Sequence, residues 1–89
     1  MSEISKSNQN FIIKKLDKET VSIQIFDNNM LMSVVGEFNA NLSELERLTH
    51  TTIFFRGNSI TAKGNPENIS KISEAVKFLI NKFLLTNLI

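Results

Sequence analysis

The chain has no cysteine, so disulfides, thiolate metal sites and thiol catalysis are excluded. It has one histidine, His50, and no second histidine, cysteine or carboxylate pair stands at ligand spacing from it. Neither a metal site nor a general base has residues to stand on. The nine carboxylates show no pairing of the kind that hydrolysis uses. No serine or threonine sits in a nucleophile elbow. The pattern G-x-x-x-x-G-K-[ST] is missing, and with it the phosphate cradle and its lysine. No apolar run approaches the ~20 residues that cross a bilayer, and the N-terminus carries no apolar signal-peptide core. Charge of one sign is also scarce. Ten Lys and Arg against nine Asp and Glu leave a net charge of +1. Nucleic acid or anionic lipid therefore feels no global pull, and any such binding must come from a local patch. These absences lead us to expect a cytoplasmic domain with no catalytic activity, metal or cofactor of its own.

What is present fits one ordinary globular domain: 89 residues, 42% hydrophobic and 21% charged. Residues 1–18 are expected to be a flexible tail, in which Phe11-Ile12-Ile13 could form an added edge strand or an anchor. From Glu19 to Phe26, Val21, Ile23 and Ile25 alternate with Ser22 and Gln24, the period-2 mark of a strand. Asp27-Asn28-Asn29 offers capping oxygens to a helix carrying Met30, Leu31, Val34 and Val35 and ending at Gly36. Asn41, with Glu44 three positions on, resembles a capping box for a second helix striped by Leu42, Leu45 and Leu48. Glu44, Glu46 and Arg47 are expected to face water or the helix ends. Thr49-His50-Thr51 breaks that helix. Thr52–Arg56 and Ser59–Lys63 read as strands joined at Gly57-Asn58, where Gly at the first central position suits a type II′ hairpin.

Asn65-Pro66-Glu67 is a strong helix start. Ile69, Ile72, Val76, Leu79, Ile80 and Phe83 then recur at steps of three and four, so this helix should be the largest contributor to the core. Leu84, Leu85, Leu88 and Ile89 stay apolar to the last residue, as if the helix met a partner or a longer chain. The order βααββα predicts an α+β two-layer domain over residues 19–85, with three helices on one face of a three-stranded antiparallel sheet.

The stretch Val34 to Phe55 organises the rest. Helix, tight loop, helix, turn and strand follow one another, with Gly36 opening the loop and Asn39 three residues later. Asn is the non-glycine residue that best tolerates a left-handed backbone. This layout resembles the small (type I) KH domain, whose GXXG loop clamps a nucleic-acid backbone. Val35-Gly36 looks like its opening hydrophobic-Gly pair. Thr49-His50 stands where it carries Thr-Gly, and Ile53 and Phe55 where its next strand points inward. More narrowly, Gly36-Glu37-Phe38-Asn39-Ala40-Asn41-Leu42, Arg56-Gly57-Asn58 and Gly64-Asn65-Pro66-Glu67 resemble the N-terminal region of PhoH-like (phosphate starvation-inducible) proteins. In that family a KH-like domain precedes a P-loop ATPase domain.

The resemblance implies a single-stranded RNA contact through Gly36, Glu37, Phe38, Asn39, Asn41, Phe54 and Arg56, in a groove between the loop and the strand Thr52–Arg56. Phe38, at the tip of the turn, could stack on a base, plug the domain's own core or meet a partner. The resemblance also implies that residues 86–89 lead into an ATPase domain, which would bind ATP and magnesium. A second reading stays open. Glu37 puts an acid where phosphate would sit, and the net charge is small. On that reading the chain is a protein–protein or homo-oligomerisation module using Phe38, the outward-facing Phe of Phe54-Phe55 and Leu84–Ile89.

Overall fold

The computed structural model describes residues 10–86. Strands β1 (Phe11–Asp17) and β2 (Thr20–Ile25) lead into helix α1 (Asn28–Val35). A 3-10 turn (Glu37–Asn39) joins it to α2 (Ala40–Thr49). Strands β3 (Thr52–Arg56) and β4 (Ser59–Lys63) precede the long helix α3 (Pro66–Thr86). The protein is α+β, with a four-stranded antiparallel sheet in the order β1-β2-β4-β3.

The fourth strand corrects the three-stranded expectation, and it takes residues 11–17 out of the expected flexible tail. Phe11 pairs with Ile25, Ile13 with Ile23 and Lys15 with Val21. Phe11 and Ile13 thereby pack against the core along the edge that β2 would otherwise leave open. A register shift between Lys15 and Asp17 leads into the turn, where the Asp17 carboxylate accepts the Glu19 N–H at 2.8 Å.

The core lies between the sheet and the helices. Val21, Ile23 and Ile25 of β2 and Ile60 and Ala62 of β4 meet Ile69, Ile72, Val76 and Ile80 of α3, all at 1% exposure or less. Each of the four α3 side chains is worth about 1.5–3 kcal/mol when fully buried. Met30, Leu31, Val34 and Val35 of α1 and Leu42 and Leu45 of α2 complete the cluster. Leu48, expected in the α2 stripe, is exposed. In the last turn of this short helix the buried place next to Leu45 is taken by Thr49.

The helix ends follow local chemistry. The Asp27 carboxylate accepts the N–H groups of Asn29 and Met30 at 2.8 and 3.0 Å, capping α1. Asn65 Oδ1 accepts the Asn68 N–H at 2.9 Å, with Pro66 in the first helical position. At Gly57-Asn58 only Gly57 has positive φ (60°), as a type II′ hairpin requires. Leu88 and Ile89, the end of the expected apolar tail, lie outside the described residues.

Candidate nucleic-acid interface

The turn between α1 and α2 is built around Gly36. Its backbone (φ 81°, ψ 166°) lies in a region almost confined to glycine. Space imposes the same residue. A Cβ there would stand 2.8 Å from Asn41 Cγ and 2.9 Å from the Asn41 backbone nitrogen. Phe38 (φ 53°, ψ 33°) and Asn39 (φ 61°, ψ 25°) are both left-handed. Asn39 tolerates that conformation, as its residue type suggested; Phe38, a bulky aromatic, adopts it at a cost.

Asn41 does not cap α2, contrary to the capping-box expectation. It lies inside the helix, and its Nδ2 donates to the Ser33 carbonyl at 3.1 Å, satisfying an acceptor in the last turn of α1. Glu44, its expected capping partner, forms an ion pair with Arg47 one turn on. That hydrogen bond and the guanidinium charge hold the Glu44 carboxyl below its ordinary value. The residue at the N-cap position is Asn39, whose side chain makes no capping bond. Around the turn, Gly36 N–H donates to Met32 O, Asn39 N–H to Gly36 O and Ala40 N–H to Glu37 O.

Phe38 is 98% exposed. Of the roles open to it from sequence, the structure excludes a plug in the domain's own core. Glu37 is exposed beside it and adds a negative charge to the turn.

Phe54 and Arg56 are not brought to this turn. The alternation along β3 turns Ile53 and Phe55 towards the helices and Phe54 and Arg56 to the helix-free face. The expected groove between the turn and Thr52–Arg56 therefore does not gather all seven predicted residues. Gly36, Glu37, Phe38, Asn39 and Asn41 form one cluster, and Phe54 and Arg56 belong to another surface.

Between α2 and β3 stands Glu46, which the sequence placed facing water or the helix ends. Its Oε2 accepts the Ile53 N–H at 2.7 Å, tying the helix to the edge strand. Thr49 and Thr51 close the same corner: Thr49 Oγ1 donates to Leu45 O at 2.6 Å and lies 2.8 Å from Thr51 Oγ1. His50 ends α2 in the left-handed conformation (φ 55°, ψ 43°), its N–H on Glu46 O. Only tertiary register reveals the Glu46 contact. The Thr-x-Thr spacing was the available sign of the other.

Between α2 and α3 runs an apolar groove of about 250 Å³, lined by Asn41, Glu44, Leu45, Ala75, Phe78 and Leu79. Among the described residues no helix is long and apolar enough to cross a membrane. No group of three or more His, Cys, Asp or Glu is placed to hold a metal ion among them either. No family model matches the chain, and no curated protein is significantly similar to it.

Proposed function

We propose that this chain is a KH-like accessory domain of a PhoH-like protein and contacts single-stranded RNA at the Gly36–Asn39 turn. The observation that carries the reading is the turn itself. It joins two helices between β2 and β3, needs glycine at its first position, and opens α2 at Asn39 with no side-chain cap on the helix N–H groups. A helix start without a side-chain cap suits a phosphate oxygen. Phe38 stands beside it in solvent, where an aromatic ring can stack on a base. Glu37 opposes phosphate at the same place, so the contact is weak and salt-sensitive.

In this reading the domain does no chemistry and sits in the cytoplasm. ATP, magnesium and hydrolysis belong to a P-loop ATPase domain that it accompanies, and the domain presents RNA to that motor. This part rests on the resemblance of the Gly36–Leu42, Arg56–Asn58 and Gly64–Glu67 motifs.

A second reading has its own observation. Phe38 is exposed almost entirely, and Phe78, 66% exposed, stands at the mouth of the apolar α2–α3 groove. Together they suit a protein partner or a second copy, in a domain that keeps the fold and does not bind nucleic acid.

The test is a titration of short single-stranded RNA into the isotope-labelled chain at low salt, followed by amide shifts. Shifts are expected over Gly36–Asn41 and should shrink as salt rises. Glu37→Lys should tighten binding and Phe38→Ala should weaken it. No shift at roughly 1 mM RNA, a binding free energy of about −4 kcal/mol, rejects the RNA role. Concentration-dependent shifts at Phe38 and Phe78 without RNA would establish the second reading instead.

A further inference from the structure

The helix-free face of the sheet is crossed by two complete rows of side chains. Strand pairing sets Ile12 beside Gln24, Ser59 and Arg56 in one row. It sets Lys14 beside Ser22, Thr61 and Phe54 in the next. A third row, Thr20, Lys63 and Thr52, adds another lysine. Neither complete row contains a carboxylate. Two carboxylates stand at the end of the third row near Lys63: Asp17, opposite Thr20, and Glu19, whose backbone carbonyl accepts the Gly64 N–H. The protein as a whole balances ten cations with nine anions, yet this face carries Lys14, Arg56 and Lys63 together. None of the three is in an ion pair among the described residues. The remaining acids of the described residues lie on the helices, the α1–α2 turn, the caps and the β1–β2 turn.

Phe54 stands among these cations, 54% exposed, on the same strand as Arg56 and one strand from Lys63. From strand and residue spacings, the three cations lie about 12–16 Å apart and the ring about 7–8 Å from Arg56 and Lys63. The filling between them is neutral and hydrogen-bonding: Ser22, Gln24, Ser59 and Thr61. A largely polar sheet face, with Ile12 at its β1 edge and separated cations on the same side as one exposed aromatic ring, complements a flexible polyanion bearing planar bases.

We propose that the open sheet face is a binding surface for single-stranded nucleic acid, with Phe54 stacking on a base and Lys14, Lys63 and Arg56 holding the backbone. It is a surface separate from the Gly36–Asn39 turn, on the opposite side of the sheet from the helices, and stands or falls apart from it. Phosphate contacts supply affinity without sequence preference, and stacking on one ring is tolerant of base identity.

The test uses the whole chain and a fluorescein-labelled oligouridine about ten nucleotides long. Anisotropy measures affinity across salt, and amide shifts locate the contact. With three backbone cations engaged, log K should fall with log salt at a slope of about −2. Phe54→Ala should weaken binding roughly 5- to 150-fold. Lys14→Glu with Lys63→Glu should abolish it. All three positions are exposed, so each variant should keep the wild-type amide spectrum away from the substitution. Shifts at Lys14, Ser22, Gln24, Phe54, Arg56 and Thr61 support the proposal. Shifts confined to Gly36–Asn41 overturn it and leave the turn as the contact. Shifts nowhere overturn both. Shifts across the sheet face on raising protein concentration without oligonucleotide would show self-association and overturn it as well.

Discussion

Replacing Gly36 by alanine should cost this protein a large part of its stability, even though the substitution adds one methyl group to a half-buried turn. Two costs combine. The backbone at φ 81°, ψ 166° is a region that residues with a Cβ avoid, at about 1–3 kcal/mol. The new Cβ also meets Asn41 Cγ at 2.8 Å and the Asn41 backbone nitrogen at 2.9 Å. The Asn41 side chain can swing away only by giving up its hydrogen bond to Ser33 O, worth about 1 kcal/mol. The backbone nitrogen cannot swing at all. The total is about 2–4 kcal/mol, a large share of the roughly 5–15 kcal/mol that holds a small domain folded.

Urea melts of wild type, Gly36→Ala and Gly57→Ala give the comparison. Gly57 also has positive φ, but an added Cβ would find nothing within 4 Å, so its alanine variant should lose less. Thermally, Gly36→Ala should melt about 10–25 °C lower. Adding Asn41→Ala should recover the side-chain part of the clash and leave the backbone part. If Gly36→Ala stays within about 0.5 kcal/mol of wild type, as ordinary surface substitutions do, the account of the turn is wrong. It is equally wrong if Gly57→Ala is the worse of the two. Gly36 would then have to be explained by ligand contact alone.

Other expectations follow from single contacts. Phe38→Gly should leave stability unchanged or raise it by up to about 1 kcal/mol, because it relieves a left-handed phenylalanine that buries nothing, while RNA binding weakens; a clear loss of stability in a denaturant melt would refute this. Glu46→Ala should cost about 1.5–3 kcal/mol and expose the Ile53 amide to hydrogen exchange, with Glu46→Gln milder because an acceptor remains. Thr49→Val should cost about 1–2 kcal/mol in the same melts by stripping Thr51 Oγ1 of its partner and Leu45 O of its donor. The Glu44 carboxyl is held below its ordinary value of 4.5 by the Arg47 hydrogen bond and charge. Its small contribution is therefore present above about pH 4.5 and lost as pH falls through the depressed folded value. Melts of Glu44→Gln and wild type should accordingly differ near neutral pH and converge in acid.

Much of the fold can be read without coordinates because it is written in local chemistry. Alternation marks β2, the Asn65-Pro66-Glu67 start and the step of three and four mark α3, and Gly57-Asn58 marks a hairpin. Each of those signals acts within a few residues. The places where the reading failed are the places where distant residues decide. Phe11–Asp17 has only three apolar residues before two lysines, too few for a periodic pattern, yet β2 offers an edge and β1 fills it. Asn41 has the right type and spacing for a cap, but its amide reaches Ser33 O eight residues back, so Asn39 takes the position instead. Leu48 fits the α2 stripe and still faces water.

The candidate site divides along the same line. The sequence alone determined that a glycine opens the α1–α2 turn and that Asn39 would accept a left-handed backbone, because φ preference is a property of the single residue. It also determined that Phe54 and Phe55 would face opposite sides, because a strand's side chains alternate whatever surrounds it. Tertiary structure alone decided which of the two phenylalanines looks outward, since that depends on where the helices pack. It decided that Phe38 meets nothing, that Glu46 seals the edge of β3, and that Lys14, Lys63 and Arg56 share one face. Those cations come from β1, β4 and β3, with two helices intervening in the chain. Only strand pairing, a matter of register between distant segments, brings them onto one face with Phe54.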